Sequence, residues 1–356
     1  MGEYRLAVMD GDGIGPEVVE SVRTVLRVAN RLEPELELTQ VQLPIGLEAY
    51  DASGTTLPDT TLAELERCDG WILGPLTTHL YRGAAMPNPS AVLRKRYELF
   101  ANIRPAKSFT GVSALRSDVD VVVVRENTEG FYADRNLLEG TGELKPDPNT
   151  VLSVRVVTRR ACERLARAGF ELARRRNGHV TLVHKANVLR LGCGLFLETC
   201  HQVASEYPEV RVDDFHVDAF AMHLVMRPHD FDVIVTTNLF GDVLSDLSAG
   251  LIGGLGLAPG LNAGDGRAMA QAVHGSAPDI AGRGQANPIA SVLSVAMLLD
   301  WLGSTRSDPA AANIGARLNA AVESVLAAAV VKTPDLGGQA RTVDMTRAIV
   351  DAFQSA

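Results

Sequence analysis

Leu6-Ala7-Val8-Met9-Asp10-Gly11-Asp12-Gly13-Ile14-Gly15-Pro16 decides the fold class. Four apolar residues in succession read as a strand buried on both faces, and the Asp-Gly alternation that follows reads as a tight loop. Pro16 suits the first turn of a helix. Val18, Val19, Val22, Val25, Leu26 and Ala29 then recur at helical spacing. The unit is strand, glycine loop, helix. It invites a dinucleotide-binding reading, but that fingerprint needs a third glycine where Pro16 stands, and a plain strand-to-helix turn explains the spacing as well.

Further along, Val119 to Val124 runs into Arg125-Glu126-Asn127-Thr128-Glu129-Gly130, Val180 to Val183 into His184-Lys185-Ala186-Asn187, and Phe231 to Val235 into Thr236-Thr237-Asn238. Short apolar runs alternating with helical patterns predict an α/β protein with a largely parallel sheet. Ligands of open α/β sheets bind at carboxyl ends of strands, so the polar groups delivered there are candidates for function. Leu137 to Thr150, rich in Gly, Pro and acidic residues, reads as an exposed loop or an arm toward another subunit. Gly250 to Gly266 reads as an irregular return between domains.

The chain has 356 residues, which at about 100–200 residues per domain predicts two domains with a cleft between them. A formal charge of −9 argues against nucleic acid as a partner. The first residues lack the pattern of a signal peptide, and no apolar run reaches the roughly 20 residues of a membrane helix, so a soluble, cytoplasmic protein without membrane contact is expected. Cys68, Cys162, Cys193 and Cys200 have neither metal-site spacing nor disulfide-scaffold density, and are expected to be reduced and mostly buried.

Asp242 and Asp246 lie four positions apart near the start of a helix, so both carboxylates share one face. They suit a hard divalent cation such as Mg²⁺ or Mn²⁺; a solvated face interacting with the helix dipole is the alternative. Arg94, Arg104 and Arg125 sit among apolar or structured neighbours. Three such forks suit a substrate with several carboxylates, and structural ion pairing is the alternative for any one. Lysine is scarce, five against 29 arginines, so Lys185 at a strand end stands out as a base that burial would push toward neutrality. Tyr132 could supply an acidic hydroxyl.

Together, Asp10-Gly11-Asp12-Gly13-Ile14-Gly15-Pro16-Glu17, Ala101-Asn102-Ile103-Arg104-Pro105, Val124 to Gly130, His184-Lys185-Ala186-Asn187-Val188, Asn238 to Asp246, His274 to Gly282 and Thr333 to Gly338 resemble the isocitrate and isopropylmalate dehydrogenase family, in family order. The resemblance implies a two-domain α/β fold that is not a Rossmann fold, with a large mixed sheet flanked by helices. Residues 1–100 and 251–356 would form the large cofactor-binding domain. Residues 101–250 would form the smaller dimerisation and substrate domain, with a clasping arm near 135–155. The working unit would be a homodimer sharing its active sites.

The implied reaction oxidises the C2 hydroxyl of a 3-substituted malate with NAD and a divalent metal, then releases the β-carboxylate as CO₂. By motif, Arg94, Arg104 and Arg125 would hold carboxylates, with Asn187 also at the substrate. Asp242 and Asp246 would bind the metal, and Asp218 would complete that site from the other subunit, which would also supply Lys185. Lys185 would accept the hydroxyl proton and Tyr132 would protonate C3. Thr77, His274, Gly275, Ala277, Pro278, Asp279, Ile280 and Asn287 would bind the cofactor, and Asp279 with Ile280 would favour NAD over NADP. Gln271 departs from the family's usual glutamate three residues before the histidine, which bears on cofactor affinity.

For the substrate, isopropylmalate enzymes build an apolar pocket with two leucines where Ser90 and Ala91 stand, and isocitrate enzymes place serine and then asparagine where Asn88 and Ser90 stand here in reversed order, so a polar 3-substituent of the isocitrate or homoisocitrate type is expected. Isopropylmalate, tartrate and D-malate stay open. His79, Tyr81 and Arg82 are further candidates for selecting the substrate. A non-catalytic regulatory subunit of a hetero-oligomeric relative is the alternative of another class, and the complete catalytic set argues against it.

Overall fold

The computed structural model describes residues 2–83, 85–132 and 142–355. Strand β1 (Gly2–Met9) leads through the glycine loop into α1 (Gly15–Leu32), close to the expected bounds. Leu6 and Val8 pack with α1, α9 (Ile289–Arg306) and α10 (Pro309–Ala328) in one core. Ala7 and Met9 point the other way, into a core with Trp71 and Leu93. Covering on both faces is why this strand is a continuous apolar run without alternation. β5 (Asp120–Glu126) behaves likewise. Val121 and Val123 join the first core, whereas Val122 and Val124 pack with Phe170 and Phe196 in another.

Among the described residues, ten strands form one sheet flanked by eleven helices, in the order β2-β1-β3-β12-β11-β4-β5-β10-β8-β9. The added strands are β2 (Leu36–Gln42), β3 (Gly70–Leu73), β4 (Ala101–Lys107), β8 (His179–His184), β9 (Arg211–His216), β10 (Val233–Thr236), β11 (Leu261–Ala263) and β12 (Ala268–Ala270). The flanks are parallel, but β12, β11, β4 and β5 pair antiparallel in succession. The sheet is therefore mixed, as the resemblance implies, and the expected parallel pairing prevails on both flanks. Because direction reverses across this centre, the carboxyl ends of β1 and β3 leave at one edge and those of β5, β10 and β8 at the other. The stretch read as an irregular return, Gly250 to Gly266, contains β11 and so reaches the middle of the sheet.

The segment expected as a loop or arm forms, over its described part, a hairpin of β6 (Glu143–Asp147) and β7 (Thr150–Ser153) with every residue exposed. Its remainder, residues 135–141, lies outside the described residues. All four cysteines are free and buried. No helix among the described residues is long and apolar enough to cross a membrane.

Candidate active site

The helix α8 (Asn238–Leu251) begins directly after β10 and lies against β5. The contact is close because residue 241 is glycine: a Cβ there would stand 2.6 Å from Cβ of Arg125. That approach sets Asp242, near the start of α8, beside the guanidinium of Arg125. Arg125 forms an ion pair with Asp242 through Nη1, and donates to Asn238 Oδ1 from Nε at 3.0 Å and from Nη2 at 2.7 Å. Arg104, on the neighbouring β4, donates from Nη1 to Asp242 Oδ1 at 3.2 Å and to Ser245 Oγ at 2.7 Å, and from Nε to Asn102 Oδ1 at 3.0 Å. Tyr132 completes the group, its hydroxyl donating to Asp242 Oδ2 at 3.0 Å.

Two buried guanidiniums and two carboxylates thus share one pocket, and their charges set one another. Burial raises the Asp242 pKa, but Arg125 and Arg104 outweigh it and hold the carboxyl below its ordinary range. At Asp246, burial prevails over Arg104, whose Nη1 is 3.6 Å away, and the pKa is raised. Arg104 is pushed down to about 10 by burial and by its neighbour Arg125, and stays charged at neutral pH. Both carboxylates project from one face of α8, as their spacing requires. Hard oxygen donors on one face, with an open side, fit two coordination positions of Mg²⁺ or Mn²⁺. Among the described residues, no group of three or more His, Cys, Asp or Glu could hold a metal, so further ligands must come from elsewhere.

Lys185, just beyond β8, donates to Asp218 Oδ1 at 2.5 Å, and Asp218 opens α7 (Val217–Met226). Lys185 is part-buried rather than buried, with its side chain 23 % exposed and a carboxylate partner. Lys185 pairs with Asp218 rather than with Tyr132 or Asp242, and Asn187 is exposed on the same loop. The site residues therefore fall into two groups within one chain.

Helix α4 (Pro89–Arg96) carries Asn88 as its N-cap, accepting from Ala91 N at 3.4 Å, and the buried Ser90. Ser90 Oγ and Arg94 Nη2 donate to Gln271 Oε1 at 3.1 and 2.9 Å. Gln271, read in the sequence as a departure in the cofactor loop, thus stands against α4.

The cofactor candidates lie in loops around the glycine turn. Gly13, at φ +60°, passes so near Ser276 O that a Cβ would stand 2.0 Å from it, and Ile14 N donates to that oxygen at 2.9 Å. Thr77 Oγ1 donates to Ser276 Oγ at 2.8 Å, and Thr77 N to Asp12 Oδ2 at 2.7 Å. Asp12, which the sequence reading left without a role, is buried and also accepts from the Tyr81 hydroxyl and from Leu47 N. Tyr81 is therefore a strut for the Thr77 segment. Its apolar surroundings and Asp12 drive its pKa far up. His274 lies beside Gly275, and burial holds its imidazole below the ordinary range. Asn287 Nδ2 donates to Asp335 Oδ2 at 3.0 Å. Ala277 holds φ +37°, Pro278 and Asp279 are exposed, and Ile280 packs on the main core.

The family and relatives of this mixed-sheet chain make it an oxidoreductase that acts on a hydroxyl group. The isocitrate/isopropylmalate dehydrogenase family model matches residues 5–352, and the chain belongs to that family. It is 43 % identical over 353 residues to an isocitrate/homoisocitrate dehydrogenase of Thermus thermophilus, covering 99 % of each chain. A 3-isopropylmalate/3-methylmalate dehydrogenase of Methanocaldococcus jannaschii is 40 % identical over 351 residues, covering 97 % of this chain and 98 % of that one. The crystal structure of an isocitrate dehydrogenase from Methylococcus capsulatus superposes with a TM-score of 0.87 at 42 % identity, covering 99 % of each chain. The relatives' names span more than one substrate.

Proposed function

We propose that the chain catalyses the NAD- and divalent-metal-dependent oxidative decarboxylation of a 3-substituted malate, with a polar substituent of the isocitrate or homoisocitrate type. The observation that carries this reading is the cluster of Arg104, Arg125, Tyr132 and Asp242, with Asp246 one turn along α8. It offers cations for substrate carboxylates, carboxylates for a cation and a hydroxyl for proton transfer within one pocket. Ser90 supports the polar substituent, since its buried hydroxyl puts a polar group, with acceptor capacity left, where an alkyl group would need apolar surface.

When bound, Mg²⁺ or Mn²⁺ supplies electrostatic stabilisation of negative charge developing on the substrate, and NAD supplies the redox couple. Arg94, Arg104 and Arg125 hold the carboxylates. Lys185 takes the proton of the C2 hydroxyl, and Tyr132 returns one to C3 once CO₂ has left. The exposed Asp279 supports NAD, because a carboxylate there repels a 2′-phosphate and accepts from ribose hydroxyls.

A homodimer with shared sites is supported by the separation of Lys185 and Asp218 from the Asp242 cluster. It is supported also by exposed apolar side chains nearby: Met222, Val225 and Met226 on α7, and Leu239 and Val243 on α8. In the shared site, Asp218 of one subunit would join Asp242 and Asp246 of the other. The sheet order supports two domains of the expected extents, since β2-β1-β3-β12-β11 and β4-β5-β10-β8-β9 each draw only on one of them.

NADH formation with Mn²⁺ and NAD across isocitrate, homoisocitrate, isopropylmalate, tartrate and D-malate, with NADP controls, tests the reading. Isocitrate or homoisocitrate giving the highest kcat/KM supports it. Isopropylmalate leading overturns the polar pocket, and silence throughout overturns the enzyme reading in favour of a regulatory subunit.

A further inference from the structure

His184 ends β8 one residue before Lys185, and its imidazole is buried. Nδ1 accepts from the backbone N–H of Ala186 at 3.0 Å, and Nε2 stands 2.9 Å from Asp214 Oδ1 on β9. A nitrogen that accepts carries no proton and a carboxylate can only accept, so the ring is the neutral Nε2–H tautomer, donating to Asp214. One side chain thus bridges the residue before Lys185 and the residue after it. On the far side, the Lys185 carbonyl accepts from Val188 N at 3.1 Å and Leu189 N at 2.8 Å. Resting on the function proposed above, we propose that His184 is a positioning residue, which holds the turn that aims the Lys185 side chain at the substrate hydroxyl.

Proton transfer needs the accepting atom within hydrogen-bond reach of the hydroxyl, and a misplacement of about 1 Å costs about 100-fold in rate. The stem of a lysine is flexible and does not hold that aim by itself. Nor does its partner Asp218: that carboxylate is largely exposed, where water competes for both charges, and in the proposed shared site it serves the metal. The backbone turn is the part of the lysine that stays fixed. It is fixed across the sheet, because Asp214 belongs to the neighbouring strand and His184 stands opposite His216 in the register, two residues before Asp218. The same imidazole therefore ties the exit of β8, which leads to Lys185, to the exit of β9, which leads to Asp218. With both ring nitrogens engaged, His184 has none left to take a proton from substrate, so it acts through Lys185 and not on the reacting atoms.

The test compares kcat in His184→Asn and His184→Gln, with Mn²⁺, NAD and whichever malate the wild-type enzyme turns over best. An Asn oxygen takes the place of Nδ1 and accepts from the N–H two residues on, but does not reach Asp214. A Gln amide reaches Asp214 and leaves Ala186 N–H without its acceptor. The expected result is kcat within about threefold of wild type for His184→Asn and about 10- to 100-fold down for His184→Gln, with both KM values within about twofold. A merely structural role would lower Tm in both variants and leave no such split. Equal kcat in the two, the reverse order, or a split carried by KM overturns the assignment. Where either variant does not fold, His184→Ser, whose hydroxyl accepts from the same N–H, against His184→Ala decides in the same way. Lys185→Ala keeps the two readings apart. Turnover retained there overturns the role of the lysine and this assignment with it, whereas an inactive Lys185→Ala beside unsplit His184 variants overturns the assignment alone.

Discussion

Arg125 and Asp242, 117 positions apart in the chain, form an ion pair in which the arginine side chain is 3 % exposed and the aspartate 37 %. The asymmetry has a chemical consequence. Arg125 is anchored from behind by Asn238, so Asp242 presents its open side to the pocket together with the Tyr132 hydroxyl. Here the Asp242 carboxylate and the Arg104 and Arg125 guanidiniums neutralise one another.

Replacing Asp242 with Asn should therefore have two separable effects. Arg125 loses its counter-charge while remaining buried, which should lower stability by about 1–3 kcal/mol in chemical denaturation. If Asp242 holds the proposed metal, Mn²⁺ should raise the Tm of the wild-type chain by binding the folded state, by about 2.7 kcal/mol at a hundredfold excess over Kd, and the variant should lose that rise. Chelator should abolish wild-type turnover and added Mn²⁺ restore it. A metal-dependent Tm rise surviving in Asp242→Asn would remove Asp242 from the metal site.

The legible parts of this chain are those where burial writes a pattern. β1, β5 and α1 were readable because Leu6 to Met9, Val121 to Val124 and the Val18 to Ala29 stripe each bury against a core. Asp242 and Asp246 were readable because helix spacing alone puts them on one face. The β6–β7 hairpin was not, since every residue in it is exposed and no apolar period marks it. β11 and β12 have three residues each, too few for a period, yet they create the antiparallel centre. Asp12 and Gln271 were illegible in a stronger sense. Their partners lie 65 residues away at Thr77 and 181 residues away at Ser90, so only the folded sheet brings them together.

Lys185→Ala should abolish turnover while leaving NAD affinity and stability nearly unchanged. The lysine's partner Asp218 is 68 % exposed, so water replaces the lost ion pair at little cost to stability. In the proposed reaction its role is to move a proton, so its loss falls on turnover rather than on cofactor binding. Steady-state kinetics beside a cofactor-binding titration gives the check. Turnover within tenfold of wild type would take Lys185 out of the chemistry.

Glu129 is buried and receives hydrogen bonds from Thr158 N at 2.9 Å and Thr158 Oγ1 at 2.8 Å, at the start of the helix Arg159–Arg174. Burial dominates these contacts and raises its pKa from 4.5 to about 7. Between those values the folded chain keeps a proton that the unfolded chain has released, so stability falls with rising pH. This contribution is fully present below about 4.5 and lost through about 7, for a total of roughly 3 kcal/mol. Glu129→Gln cannot titrate there. Denaturation at pH 5 and pH 8 should show a smaller drop for the variant than for the wild-type chain, and equal drops would assign the dependence to other groups.

Cofactor choice offers the sharpest exchange of two residues. Asp279 is exposed at a turn that follows Ala277, while Ile280 packs partly against the main core. In the proposed cofactor site, changing Asp279 to Lys would reverse the charge facing the 2′ position of the ribose, and changing Ile280 to Tyr would add a hydroxyl donor beside it. The first change should cost little stability because its site is solvated; the second should cost about 1 kcal/mol in repacking. The double variant should raise the ratio of kcat/KM for NADP over NAD by at least about 100-fold, mostly through the KM of each cofactor, since the hydroxyl-oxidation site is untouched. An unchanged ratio with intact NAD turnover would show that residues outside this turn set the preference.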